Sequence, residues 1–198
     1  MLNRSYILAE VSNRHVHLCR RDVDALFGKG YKLNVLKQLS QPGQFAAKEK
    51  ITLVNGDRKI KDVRVLGPER KETQVELSRT DAIHFKIDAP LKESGNLNNT
   101  PGINIEGPKG CVELKKGVIV AQRHLHASEQ EAKEIGIEDG QKISVKIKGK
   151  KGVIFDSVLV RVHPKYKLAV HLDTDEGNAA CIKGNAYGEL ITKNGKRT

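Results

Sequence analysis

Arg14-His15-Val16-His17 near the start of the chain returns as Arg123-His124-Leu125-His126 in its middle, and this repeated stretch decides how the rest is read. In an extended strand, side chains two apart point to the same face, so each His-x-His sets two imidazoles side by side. Imidazole nitrogen is an ordinary ligand of zinc and its neighbours. The surroundings repeat as well. An apolar stretch leads into each pair, Ile7 to Val11 in one case and Val118 to Ala121 in the other. A helical pattern follows each: Arg20 to Phe27 with Gly28 as its stop, and Glu129 to Ile135 opened by a Ser128/Glu131 capping box. The copies lie 109 residues apart, which points to duplication of a unit of about half the chain.

The later part of each half extends the match. Asp62 to Leu66, a Gly67-Pro68 turn, and Gln74-Val75-Glu76-Leu77-Ser78 correspond to Asp156 to Val162, Pro164, and Ala169-Val170-His171-Leu172-Asp173. Glu76 then falls where His171 falls. Each half offers three candidate metal ligands: His15, His17 and Glu76 in one, His124, His126 and His171 in the other. The gap from pair to third ligand is 59 residues in the first half and 45 in the second, which fits an insertion around Gly28 to Lys50. The competing reading of each histidine pair is a solvent-facing or hydrogen-bonded strand; the duplicated set with matched third residues favours metal.

At 198 residues the chain is one large domain or two smaller ones, and the repeat favours two. No apolar run approaches the roughly 18 residues of a membrane helix, and the start lacks the apolar core of a secretory signal. Three cysteines, Cys19, Cys111 and Cys181, without C-x-x-C spacing argue for reduced thiols and a cytoplasmic protein. A formal net charge of +11 admits a basic surface, nucleic acid, or polyanionic substrates such as phosphate and coenzyme A. Scattered lysines with only 4% aromatic residues make a single-strand nucleic-acid platform the poorest of these.

Along the chain, Ile51 to Val54, Asn55-Gly56 and Arg58 to Val65 read as a hairpin. Leu33 to Leu39 is a short amphipathic piece carrying Lys37, and Gln41-Pro42-Gly43-Gln44 is turn chemistry. Glu93 to Gly102 is the linker candidate. Further short strands are expected at Ile103 to Ile105, Cys111 to Leu114, Gly117 to Ala121, Lys142 to Lys148 and Val153 to Val162. The expected fold is therefore mainly β: two tandem small β-barrels related by duplication, over residues 1–92 and 103–198, with short capping helices and strands open to exchange between the halves. Gly67-Pro68-Glu69-Arg70 reads either as a phosphate-binding turn with a bidentate arginine or as an ordinary hairpin turn. Asp173 to Asn178 reads either as a capped turn holding carboxylates behind the metal ligands or as a polar loop.

Taken together, S-N-R-H-V-H-L, L-S-Q-P-G-Q-F-A-A-K-E, V-R-V-L-G-P-E-R-K-E-T-Q-V-E-L-S-R-T-D-A, S-G-N, T-P-G, R-H-L-H and H-L-D-T-D-E-G-N-A-A closely resemble the PduL-type phosphate propanoyltransferases, from about Val11 to Ala180. The resemblance implies two β-barrels, a two-zinc site, and reversible acyl transfer between coenzyme A and phosphate, with acyl phosphate as the other product. It implies zinc ligation by the two triads, phosphate binding by Arg70, and coenzyme A contacts at Lys37, Arg64, Leu66 and Asn178. No nucleic-acid or membrane partner is expected, and a homodimer or higher homo-oligomer is. Cys19 stands where a small hydroxyl residue is commoner, and Gly177 where alanine is. Only eleven residues precede Ser12, which speaks for a free cytoplasmic enzyme over one encapsulated in a microcompartment. The alternatives are a zinc thioesterase or acyl-phosphate hydrolase, and a basic nucleic-acid-binding double barrel with structural zinc.

Overall fold

The computed structural model describes residues 6–184 and 186–191. In the first part of the chain run β1 (Tyr6–Ser12), β2 (His15–Cys19), α1 (Arg20–Phe27), β3 (Val35–Gln38), β4 (Phe45–Asn55), β5 (Arg58–Arg70) and β6 (Gln74–Leu77). Next come α2 (Arg79–His84), β7 (Leu91–Lys92), β8 (Ile103–Glu106), β9 (Cys111–Leu114) and β10 (Val118–Ala121). The second part holds β11 (His124–Ala127), α3 (Glu129–Ile135), β12 (Lys142–Ile147), β13 (Val153–Val162), β14 (Ala169–Asp173), α4 (Thr174–Ala179) and β15 (Ala186–Ile191). No described helix is long and apolar enough to cross a membrane.

The chain separates into two compact units. Among the described residues, one takes 6–12, the short stretch Ser40–Pro42, and 122–191 apart from 185; the other takes Asn13–Leu39 and Gly43–Ala121. The first unit is a closed six-stranded barrel in the order β1-β14-β11-β13-β12-β15. Period-two alternation fills it: Ile7 and Ala9 of β1, Leu125 of β11, Val145 of β12, Val158 and Val160 of β13, and Val170 and Leu172 of β14 point inward and are buried. β1 lies parallel to β14 and antiparallel to β15, so the N-terminal strand is what closes the barrel.

The second unit is mainly β as expected, but it does not close. Its nine strands run β7-β10-β6-β2-β5-β4-β8-β9, with β3 paired to β4, as an open half-barrel sheet. Its edges are the two-residue β7 and the short β9, and these do not pair with each other. Glu93–Gly102, expected as a linker, lies inside this unit and is tied into it: the Thr100 hydroxyl donates to the Leu97 carbonyl (2.8 Å) and accepts from the Gly117 N–H (2.9 Å). The expected Gly67-Pro68 turn is likewise absent. The peptide between them is cis and β5 runs on through it to Arg70. Gly67 is required by a close approach, because a Cβ there would sit 2.2 Å from a Phe45 ring carbon.

The duplication is legible in the register. β2 lies between parallel β5 and antiparallel β6, and β11 between parallel β13 and antiparallel β14. His15 faces Arg64 and Glu76 as His124 faces Leu159 and His171; His17 faces Leu66 and Gln74 as His126 faces Arg161 and Ala169. Left-handed residues recur at matched positions, Asp62 with Ser157 and Lys86 with Cys181. Each motif arginine grips an acid five residues past the third candidate ligand: Arg14 holds Asp81 through two bonds (2.8 and 2.7 Å), and Arg123 holds Glu176 (2.7 Å).

The helix that follows each histidine pair shows one revealing difference. In α3 the Ser128 hydroxyl accepts from the Glu131 N–H while the Glu131 carboxylate accepts from the Ser128 N–H, a full capping box. In α1 the cap position is Cys19, which makes no side-chain cap bond. Asp22, one methylene shorter than glutamate, takes part through Thr73 instead: the Cys19 N–H donates to the Thr73 hydroxyl (2.9 Å), which donates to Asp22 (2.5 Å). Cys19→Ser is therefore expected to restore a missing cap and stabilise the fold by about 0.5–1 kcal/mol. Urea unfolding of the variant beside the wild type measures it; no gain, or a loss, would mean that the cap geometry is closed to a hydroxyl.

Candidate functional site

Strand alternation puts the two triads on the faces opposite the cores: Val16 and Leu125, between the histidines of each pair, are fully buried in their respective cores. In the half-barrel unit the donor atoms of His15, His17 and Glu76 lie within 4.8 Å of one another. In the barrel unit those of His124, His126 and His171 do the same. All six sequence candidates thus converge, three by three, as the repeat implied.

The first triad is charged and buried. His15 Nε2 lies 3.4 Å from a Glu76 oxygen, and His17 Nε2 lies 3.8 Å from the other. Burial alone would push the His15 imidazole down, but the Glu76 carboxylate outweighs it and raises His15 above its usual value. Burial would raise Glu76; the His15 and His17 imidazoles and Arg70 hold it well below the usual carboxylate range. His17 is driven well below its usual value by burial and by the positive charge of His15 and Arg70. The His15 Nδ1 atom faces the Asn13 carbonyl at 2.7 Å. A carbonyl only accepts, so Nδ1 carries the proton and Nε2 is left as the donor atom toward the triad.

The second triad is built of imidazoles alone. His124 and His171 rings stack at 5.1 Å, and His126 meets each at an angle. His126 is lowered to about 2 by burial first, then by His124, His171 and Arg161. His124 repeats the tautomer lock, with Nδ1 at 2.8 Å from the Gln122 carbonyl. Glu10, the register partner of His171 on β1, approaches its Nδ1 at 3.9 Å and accepts from the Ser40 hydroxyl.

A metal ion suits this chemistry. His17 Nδ1 and both ring nitrogens of His126 are buried without a hydrogen-bond partner, and such orphaned donors otherwise cost free energy. Two imidazoles with a carboxylate, and three imidazoles, are both donor sets of the kind zinc takes.

The remaining sequence candidates fall at distinct places. Arg70 ends β5 opposite Cys19, and its guanidinium donates to the Ser94 hydroxyl at 3.0 Å. Arg64 is held by the carbonyls of Ala47 and Lys48 (3.0 and 2.9 Å), Leu66 sits beside His17, and Lys37 is exposed on β3. Asn178 is exposed on α4 in the barrel unit. The polar segment after His171 is that helix, capped by Asp173 and Glu176.

Sequence reasoning missed two residues. Ser94 accepts from Arg70 and from Gln74 Nε2 (2.9 Å) and donates to Glu76 (2.9 Å), so one hydroxyl joins the arginine to the carboxylate. Gln41 bonds both backbone groups of Lys167 (2.9 and 3.2 Å) and brings its amide to 3.5 Å from His171 Nε2. Only their membership in the S-G-N and L-S-Q-P-G-Q-F stretches singled them out.

Comparison with known proteins agrees with this geometry. A family model described as phosphate propanoyltransferase matches residues 8–183. A phosphate propanoyltransferase of Thermotoga maritima is 50% identical over 93% of this chain and 87% of its own length. Those of Clostridioides difficile (44% identical, 96% and 90% covered) and Listeria monocytogenes (45%, 93% and 86%) are similar over the same extent. With two convergent triads inside a match that spans nearly every described residue, the chain belongs to the phosphate propanoyltransferase family, a family of acyltransferases.

Proposed function

We propose that the protein is a phosphate acyltransferase that moves a short acyl group, propanoyl or acetyl, reversibly between coenzyme A and phosphate with two zinc ions per chain. The observation that carries this reading is the pair of triads with unpartnered buried imidazole nitrogens, one of them linked through Ser94 to Arg70.

In the forward direction a phosphate oxygen attacks the thioester carbon, the C–S bond breaks, and coenzyme A leaves as the thiol. His15, His17 and Glu76 would hold one zinc, and His124, His126 and His171 the other. Bound there, such ions supply Lewis acidity, lowering the pKa of a thiol and polarising an acyl or phosphoryl oxygen. Arg70 offers phosphate a charged fork, and Ser94 sets its direction. Glu76 balances the charge of Arg70 and the histidines before substrate arrives. Lys37, Arg64, Leu66 and Asn178 are the coenzyme A contacts of this reading: cations for its phosphates, an apolar side chain beside the reacting end. The +11 charge draws both anionic substrates.

The test is coenzyme A release from propanoyl-CoA by the purified protein, with and without phosphate, beside elemental analysis. Release that requires phosphate, with two zinc ions per chain, is expected. Release without phosphate would make the protein a thioesterase, and one ion or fewer in a fully active preparation would overturn the two-metal reading.

Ser94→Ala probes the support of the first centre. Loss of an outer hydrogen-bond partner lowers metal affinity or activity by about 10- to 100-fold. The loss should fall on the zinc held by the Glu76 triad, read by chelator competition; an unchanged affinity would confine Ser94 to positioning Arg70.

A further inference from the structure

The two copies of the motif differ in where each keeps an arginine. On the parallel neighbour strand, the half-barrel unit has Arg64 beside the first histidine and Leu66 beside the second; the barrel unit reverses this, with Leu159 beside His124 and Arg161 beside His126. Paired residues on adjacent strands lie about 4.8 Å apart and point to the same face. Val160, the neighbour of Arg161 on β13, points into the barrel core, so Arg161 stands on the outer face with His124, His126 and His171. It is half-buried, and its charge is felt at His126.

What sets Arg161 apart is that its guanidinium has no hydrogen-bond or ion-pair partner among the described residues. Arg14, Arg20, Arg21, Arg79 and Arg123 all meet carboxylates, and Arg64 is tied to two carbonyls. Among the described residues, no carboxylate lies within ion-pair distance of Arg161. A half-buried guanidinium in a register position beside three imidazoles, with no carboxylate at hand, gains little from the protein and much from an anion.

We propose that Arg161 is a phosphoryl-binding residue of the His124, His126 and His171 centre, taking an oxygen of inorganic phosphate or of the acyl phosphate during turnover. This rests on the phosphate acyltransferase reading. The phosphates of coenzyme A are the other source of the same chemistry, but they are separated from the reacting sulfur by the whole pantetheine arm. A side chain one strand away from a triad histidine meets the reacting group instead.

The experiment uses zinc-loaded wild type, Arg161→Ala and Arg161→Lys. Zinc content, inorganic phosphate binding by calorimetry, and the KM values for phosphate and propanoyl-CoA are measured for each. Arg161→Ala should keep its zinc, weaken phosphate binding by about 30- to 150-fold, and leave the propanoyl-CoA KM within about threefold. Arg161→Lys should recover only part, since it keeps the charge and loses the fork. A selective rise in the propanoyl-CoA KM, loss of zinc, or phosphate binding unchanged in Arg161→Ala would each overturn the assignment. Failure of the underlying reading looks different: wild type would then release coenzyme A without phosphate, while the binding comparison between wild type and variant still stands on its own.

Discussion

Glu76→Gln should cost at least about 100-fold in turnover and empty the first centre of zinc while the shape of the site is kept. Glutamine matches glutamate in size, so the loss isolates charge. Glu76 is buried, faces His15 at 3.4 Å and His17 at 3.8 Å, and is the carboxylate that offsets their charge and that of Arg70. Removing one partner of a buried charge cluster costs roughly 3–5 kcal/mol, because the remaining charge is left uncompensated. His15, raised by Glu76, should fall, which NMR titration of the metal-free variant reads directly. The stability difference in metal-free protein has a definite pH window. Glu76 is held below its usual 4.5, so its contribution is present above that value and lost as pH falls through the depressed one. His15 is raised above its usual 6.5, so its contribution is present below that value and lost as pH rises through the raised one. The gap between wild type and Glu76→Gln in urea should therefore be widest between 4.5 and 6.5. A flat gap across that range, or a variant with near-normal turnover and zinc, would remove Glu76 from the centre.

The parts of this site that could be read in the sequence are those whose geometry is local. His-x-His fixes two imidazoles on one face by strand alternation alone, and Ser128 with Glu131 announces its helix within four residues. Glu76 and His171 were reachable because the repeat aligns them, and the register places each opposite the first histidine of its pair. What stayed hidden depends on contacts that local pattern does not carry. Ser94 comes from a stretch that reads as a linker, and Gln41 from one that reads as a turn; neither says to which strand it will dock. The alternation in β1 shows a half-buried strand but not which sheet takes it, so barrel closure by Tyr6–Ser12 was beyond local reasoning. Gly67-Pro68 misleads for a related reason. A Gly-Pro pair favours a turn, and only the Phe45 ring packed against Gly67 shows why the strand continues.

Arg70→Lys should fail to rescue what Arg70→Ala loses. Arg70 donates through one nitrogen to Ser94, and that hydroxyl is anchored to Glu76, so the protein itself orients the guanidinium for the phosphate of the proposed reading. A lysine keeps the positive charge but offers a point donor on a flexible stem, so it cannot serve Ser94 and a phosphate oxygen in the same fixed geometry. Loss of a charge-assisted bond to a dianion costs roughly 2–3 kcal/mol of transition-state stabilisation, about 30- to 150-fold in rate. Lysine should recover at most a small part of that. The loss belongs in the phosphate and acyl-phosphate kinetics, with the coenzyme A KM little changed. If Arg70 instead holds a phosphate of coenzyme A, the pattern inverts, and lysine should then rescue well, since a remote phosphate asks for charge more than for direction. Both Michaelis constants, measured for Arg70→Ala and Arg70→Lys, separate the two: a selective rise for coenzyme A that lysine repairs would move Arg70 to the other substrate.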